Sequence, residues 1–304
     1  QVCTIGGNVA ENSGGAHCLK YGFTVHHVLG AEAVMPDGTL VHVGGLAVDS
    51  PGLDLLGVLV GSEGTLAVVT KVMLRLLRRP ESVRTLLAAF DSTDNAGNAV
   101  SDVIAAGIIP AAIEMMDRTT IRAAEAAVQP GFPDAEAVLI VELDGHEAEV
   151  AAQFEQIEAI FAKNQGWGVQ VARDDAQRGR IWMGRKAAFA AMGRVSPSYY
   201  VQDGVIPRSR LPEVLRRIRQ LEQDSGLTIG NVFHAGDGNL HPLVCYDDAV
   251  EGQAELAERV ASEILSYCLD VGGSLTGEHG IGADKACHMP KMFGDDDLAT
   301  MQLV

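Results

Sequence analysis

The amino-acid sequence predicts an α+β protein, and three observations carry that expectation. After Arg78-Arg79-Pro80, apolar runs of strand length alternate with longer amphipathic runs of helix length. Before that point, glycine-rich segments at residues 4–15 and 61–66 interrupt the pattern. Finally, residues 231–242 read Asn-Val-Phe-His-Ala-Gly-Asp-Gly-Asn-Leu-His-Pro, two histidines set around a tip of turn formers.

From the N-terminus, Thr4-Ile5-Gly6-Gly7-Asn8-Val9-Ala10-Glu11-Asn12-Ser13-Gly14-Gly15 holds four glycines in ten residues. A helix or strand interior is not expected to carry so many, so a loop is predicted. Its backbone amides could approach a phosphate or a flat ring closely. The segment is neither a P-loop nor a Gly-x-Gly-x-x-Gly fingerprint, and a glycine-rich loop with no ligand is the plain alternative. Residues 24–48 alternate around a Pro36-Asp37-Gly38 turn and predict two strands. On a strand the adjacent His26 and His27 face opposite sides, which marks them as structural. A short apolar helix at 53–60 precedes Gly61-Ser62-Glu63-Gly64-Thr65-Leu66, a second small-residue turn, and then a strand at 67–76.

The boundary at Arg78-Arg79-Pro80 divides residues 1–80 from 81–304. Beyond it, strands are predicted at 83–90, 111–115, 137–143, 168–172, 198–205, 227–234 and 240–246. Helices are predicted at 93–106, 117–128, 146–164, 174–191, 208–224, 251–271 and 295–304. Repeated β-α-β units with helices packed on a sheet follow from this spacing.

Hydrophobic content of 47% supports a sizeable core, and a net charge of −17 argues against nucleic acid or an anionic membrane as partner. Five cysteines with no Cys-x-x-Cys pair fit free thiols in a reducing compartment. No signal peptide or membrane span is visible, so a cytoplasmic protein is expected, peripheral at most on the inner face of a membrane. The chain opens without Met inside a glycine-rich motif, which is expected of a piece of a longer protein.

Two antiparallel strands meeting at the 231–242 tip bring His234 and His241 close together. Two imidazoles so placed can share a metal ion, and Glu278 in Gly277-Glu278-His279-Gly280 is the best third ligand. Such a set leaves a coordination position open, as a catalytic metal requires. Plain surface structure is the alternative on pattern alone. Arg185, on the apolar helix around Ile181-Trp182-Met183-Gly184, has the right group to hold a carboxylate through two hydrogen bonds. Alone, it would read as a surface arginine.

Four segments, 3–15, 61–66, 231–242 and 272–282 (Gly-Gly-Ser-Leu-Thr-Gly-Glu-His-Gly-Ile-Gly), together resemble one family in the same order. That family is the FAD-linked D-2-hydroxyacid dehydrogenases, whose glycolate oxidase branch is the nearest in pattern, with the flavin fold of vanillyl-alcohol oxidase. The resemblance implies that residues 1–80 are the second half of an FAD-binding domain whose first half precedes Gln1. It implies that residues 81–304 are an α+β, ferredoxin-like cap or substrate domain. It places Thr4, Ile5, Gly6, Gly7, Asn8, Asn12, Gly14, Gly15, Gly61, Glu63, Gly64 and Thr65 along FAD. It makes His234, His241 and Glu278 ligands of a divalent metal (zinc, manganese or iron), His279 the base, Arg185 the carboxylate clamp and Asn239 a neighbour of substrate or flavin. Two positions depart from the pattern. Ala283-Asp284-Lys285 stands where Arg-Glu-Lys is expected, and Val201 stands near where some relatives use a lysine, which fits the glycolate-type branch.

The implied activity is FAD-dependent oxidation of a D-2-hydroxy acid, glycolate or D-lactate, to the 2-oxo acid, beside a second flavin-type subunit and an iron–sulfur subunit. The metal would lower the hydroxyl pKa, His279 would take the proton, and flavin would take the hydride. Two other classes stay open: a metal-dependent hydrolase, and a non-catalytic module derived from the flavoenzyme fold.

Overall fold

A computed structural model describes residues 3–47 and 52–304. The chain begins with the short helices α1 (Ile5–Glu11) and α2 (Cys18–Tyr21). A three-stranded antiparallel sheet follows, built from β1 (Val28–Val34), β2 (Leu40–Gly44) and β3 (Val68–Leu74), with α3 (Leu55–Leu59) between β2 and β3. β1 is central, and its register with β2 and β3 sets Glu32 opposite both His42 and Lys71.

The helix α1 stands where a loop was predicted. Its two glycines lie in the first turn, where backbone amides have no intrahelical partner, and Thr4 caps it by accepting the Gly7 amide at 2.9 Å. Asn12 closes it in the left-handed region at φ 48°, a conformation asparagine tolerates. His26 also departs from expectation, since it lies in a 3₁₀ turn (Thr24–His26) rather than on a strand.

The remaining elements are β4 (Ser82–Phe90), α4 (Thr93–Ala105), β5 (Ala112–Asp117), α5 (Arg118–Val128), β6 (Ala137–Gly145), α6 (Glu147–Lys163), β7 (Trp167–Val171) and α7 (Asp175–Ala191). Then come β8 (Ser198–Val201), β9 (Gly204–Val205), α8 (Leu211–Ser225), β10 (Ile229–His234), β11 (Asn239–Leu240), β12 (Pro242–Tyr246), α9 (Gln253–Asp270), α10 (Met289–Met292) and α11 (Asp295–Leu303). The strands form one nine-stranded sheet in the order β7-β4-β6-β5-β10-β11-β9, with β12 pairing β10 and β8. Neighbouring strands are antiparallel. The β-α-β expectation holds in a split form, because β4 and β5 run parallel across α4 with β6 inserted between them.

Strand alternation decides what each face buries. Along β5, Ile113 and Met115 join the core beneath α4, α6, α8 and α9, while Met116 joins the core beneath α5 and α7. Glu114 therefore belongs to the α5–α7 face. Two predicted strands are each broken in two. Gln202 and Asp203 separate β8 from β9, and His241 separates β11 from β12. At both breaks the pairing on one side changes, with β8 paired to β12 and β9 to β11, while β10 pairs with β11 and β12 alike.

Candidate active site

β10 runs antiparallel to β5 and β12 and turns at its end into β11. The turn is held by the Asp237 carboxylate, which accepts the Asn239 amide at 3.1 Å, and by Gly238 at φ +83°. A β-carbon on Gly238 would collide with the Ile206 carbonyl, so only glycine fits this tip. His234 at the end of β10 and His241 at the β11–β12 break bring their rings edge to face, with centroids 5.1 Å apart. The expected meeting of the two histidines occurs, although His234 pairs across the strands with Asn239 rather than with His241.

The third side chain comes from the segment after α9. Glu278 Oε1 lies 3.2 Å from His234 Nε2 and 3.0 Å from His241 Nε2. The three ligand atoms fall within 4.8 Å of one another. Burial alone would raise the Glu278 pKa, but the bonds to both histidines hold its carboxyl well below the usual carboxylate range. Burial alone would lower the His234 pKa, but Glu114 and Glu278, one against each ring nitrogen, raise it to about 10. Two carboxylates around one imidazole call for a positive charge, either a proton or a cation. The His-His-Glu donor set suits a divalent ion, because His234 Nδ1 donates to Glu114 at 2.7 Å and leaves Nε2 as the ligand atom.

A second cluster, Asp203, His241 and His279, also has its candidate ligand atoms within 4.8 Å. Its carboxylate is already committed. Asp203 Oδ2 accepts from Thr276 Oγ1 at 2.6 Å and from the amides of Gly277, Glu278 and His279 at 3.0, 3.2 and 2.9 Å. The buried Lys285 ammonium lies 3.4 Å from the same oxygen. Asp203 thus organises the Glu278 segment, and the first cluster is the better metal site.

His279 stacks on His241, with centroids 5.0 Å apart and planes at 15°. Its side chain is 47% exposed. Burial lowers its pKa, so the ring is neutral at pH 7 and able to accept a proton. Arg185 on α7 is only 4% exposed, and its Nε donates to Glu114 at 2.6 Å. Its guanidinium carbon sits 5.9 Å from the centroid of the Phe189 ring, one helical turn on. Among the described residues, the terminal amines of Arg185 make no hydrogen bond within the protein, which leaves that end of the fork for a ligand.

These groups face one cavity of about 350 Å³, walled by Arg185, Phe189, Val201, His234, His241, Glu278 and His279 on one side and by Cys3, Asn8, Ser13 and Gly14 on the other. A neighbouring cavity of about 420 Å³ shares Asn8, Ser13 and Gly14 and adds Ile5, Val9, Gly15, Leu74 and Leu77. Its wall of small and apolar residues fits a flat ring system such as that of a flavin.

Other residues expected at a cofactor also make bonds within the protein. Thr4 and Gly7 form the α1 cap, and Gly6 lies in the same turn. Asn12 Oδ1 accepts the Val25 amide at 2.9 Å. The Gly61 amide bonds the Val9 carbonyl at 2.8 Å, and Thr65 closes a local turn on Ser62 at 2.6 Å. Gly64 takes φ +70° in the same turn. The Glu63 carboxylate accepts the amides of Ile281 and Gly282 at 2.6 and 2.8 Å, just beyond His279. Asn239 is buried and pressed against Gly277 behind the Glu278 segment, and its Oδ1 has no hydrogen-bond partner among the described residues. Glu114, Asp203 and Lys285 were not singled out from sequence. Glu114 had a legible signal, a lone carboxylate between Ile113 and Met115 in an otherwise apolar strand. Asp203 had none, because residues 198–205 read as one continuous strand.

Residues 79–304 match a family described as FAD linked oxidases, C-terminal domain, and residues 1–44 match an FAD binding domain. The chain is 51% identical over 304 residues to glycolate oxidase subunit GlcD of Escherichia coli K12, covering all of this chain and 61% of that protein. It is 38% identical to glycolate oxidase subunit GlcD of Bacillus subtilis 168, covering 99% and 65% of the two chains. It is 30% identical to the mitochondrial D-lactate dehydrogenase (cytochrome) of Arabidopsis thaliana, covering 99% and 53%. The chain therefore spans less than two thirds of the length of these relatives. Among solved structures, 4-ethylphenol oxidase from Gulosibacter chungangensis superposes with a TM-score of 0.74 over 98% of this chain and 66% of that one, at 15% identity, a likeness of fold alone.

Proposed function

Because this chain belongs to the FAD linked oxidases, we propose that it carries the substrate-binding and metal-binding part of an FAD-dependent enzyme that oxidises a D-2-hydroxy acid, glycolate or D-lactate, to the 2-oxo acid. One observation carries this reading. Two histidines and a carboxylate, a neutral histidine and a buried arginine converge on a single cavity that adjoins a second cavity suited to a flat ring.

Each side chain has a task in such a reaction. Arg185 grips the substrate carboxylate with the end of its fork and orients the carbon to be oxidised. His279, neutral and partly exposed beside Glu278, accepts the hydroxyl proton at a ring nitrogen. Phe189 and Val201 give the wall an apolar surface next to Arg185, which suits a short substituent such as hydrogen or methyl. His234, His241 and Glu278 would hold a zinc, manganese or iron(II) ion, which supplies Lewis acidity toward the substrate oxygens. Ile5, Asn8, Gly14 and Gly15 would line the flavin, which supplies the hydride acceptor when bound. Asn239 acts from behind, keeping the Glu278 segment in place. We assign residues 1–80 to the flavin-binding unit and 81–304 to the cap. The similarity to glycolate oxidase subunits supports a second flavin-type subunit and an iron–sulfur subunit as partners. No helix among the described residues is long and apolar enough to cross a membrane.

The test uses the enzyme at its natural length. Elemental analysis and an absorbance spectrum are expected to show bound flavin and roughly one divalent metal per chain, with the metal lost in His234→Ala. His279→Ala is expected to lower kcat by about 10²–10⁴ while both cofactors stay bound. Undiminished turnover in His279→Ala would remove it as the base. Flavin without metal would move His234 and His241 from the ligand role to direct contact with substrate.

A further inference from the structure

Glu114 lies on β5 directly opposite His234 on β10. It is fully buried, in a strand whose neighbours Ile113 and Met115 fill the opposite core. Its two oxygens are divided between two partners. Oε1 accepts from His234 Nδ1 at 2.7 Å, and Oε2 accepts from Arg185 Nε at 2.6 Å.

We propose that Glu114 is a positioning residue that sets the metal-side histidine and the carboxylate-gripping arginine together, so that one buried carboxylate fixes both halves of substrate capture. The proposal rests on the assignment of His234 as a ligand and of Arg185 as the clamp.

The geometry leaves little slack. Donation from His234 Nδ1 fixes the ring and aims Nε2 at Glu278, so that a cation taking the place of the Nε2 proton would meet both ligand atoms. Donation from Arg185 Nε uses the inner edge of the guanidinium and leaves its outer end for a ligand. Among the described residues, neither partner has another carboxylate to turn to on that side, because the next buried acid of this sheet, Glu142, is occupied. Glu142 accepts from Thr85, Arg178 and Trp182. A glutamine at position 114 keeps the shape but offers one acceptor and one donor, so it cannot serve two donors. An aspartate is one methylene too short to reach both.

The experiment compares Glu114→Gln with Glu142→Gln in the FAD-loaded enzyme at its natural length. Two constants are read: the Kd for Mn²⁺ by competition with a chelator, and KM for D-lactate. Glu114→Gln is expected to weaken Mn²⁺ binding by about 10–100-fold and to raise KM by about tenfold or more, with flavin content unchanged. Glu142→Gln removes an equally buried carboxylate from the same sheet, and it is expected to leave both constants within about twofold. If Glu114→Gln does not fold, Glu114→Gln/Arg185→Met removes the cation left unpaired, and weakened Mn²⁺ binding is still expected. The proposal is overturned if Glu114→Gln leaves both constants within about twofold of wild type, or if Glu142→Gln shifts them equally. A wild-type enzyme that binds no Mn²⁺, Zn²⁺ or Fe²⁺ would instead overturn the ligand assignment beneath it, and the proposal with it.

Discussion

Arg185 is the residue whose role changes most between sequence and structure. On an isolated helix it would point to water, but here it is 4% exposed and bonded to a buried carboxylate. Lysine cannot replace it, because an ammonium has no inner edge for Glu114 and no planar fork for a substrate carboxylate. Arg185→Lys is expected to raise KM for a 2-hydroxy acid by about tenfold or more while flavin content is unchanged, as steady-state kinetics would show. A retained KM would place the carboxylate elsewhere. Asp117 illustrates a different single-residue cost. It accepts the Asn231 amide at 2.7 Å and the Thr120 amide at 2.9 Å, yet burial still pushes its pKa up to about 6. The folded state then holds a proton more tightly than the unfolded one, so this group's contribution is full below about pH 4 and is lost as pH rises through about 6. Relative to wild type, Asp117→Asn is therefore expected to gain about 3 kcal/mol of stability between pH 4 and pH 7, measured by urea midpoints. A pH-independent difference between the two proteins would contradict the assignment.

At the level of elements, the site depends on a segment with little regular structure. Between α9 and α10 the chain has only a bridge from Ser274 to Val205 and a short 3₁₀ turn, yet it carries Glu278 and His279. Two carboxylates hold it from opposite sides, Asp203 through the amides of Gly277, Glu278 and His279, and Glu63 through those of Ile281 and Gly282. Asp203→Asn leaves the buried Lys285 unpaired, a loss of about 3–5 kcal/mol, and loosens the grip on three amides. The double variant Asp203→Asn/Lys285→Met is expected to recover most of the stability in thermal melts. Its kcat is expected to stay at least about tenfold low, because His279 is no longer placed. Full recovery of both would make Asp203 a stability residue only.

At the scale of the whole molecule, the three-stranded and nine-stranded parts meet around the site. Lys20 and Tyr21 on α2 reach Asp144 at the end of β6, both at 2.5 Å, and Glu63 reaches the His279 segment. A metal at His234, His241 and Glu278 would tie the β10–β11 tip to the segment after α9, so binding stabilises the fold by mass action. Free Mn²⁺ or Zn²⁺ at about 100 times Kd contributes about 2.7 kcal/mol, on the order of 5 °C in the thermal midpoint. Scanning calorimetry is expected to show that shift in wild type and not in His241→Ala. Equal shifts in both would place the ion elsewhere.

Local pattern was enough for most of the fold. Strand and helix runs from β4 to α9 were legible because period and length report burial directly, and the turn formers of the 231–242 tip are short-range features. His234 and His241 stood out because they bracket a tip of turn formers between apolar runs, and Glu278 and His279 because they form an adjacent pair between glycines. Other features escaped a linear view. Helix α1 was hidden by glycines whose cost falls only in its first turn. The breaks at Gln202, Asp203 and His241 depend on which strand lies next door. The pairing of Glu114 with Arg185 joins residues 71 apart in the chain. That pairing exists because sheet register sets Glu114 opposite His234 while α7 packs on the same face, and burial then makes an unpaired charge too costly. The sequence by itself determined which chemical groups are present and which elements carry them. Only the tertiary structure decided which carboxylate faces which cation, because that choice is made by register and packing rather than by any local preference.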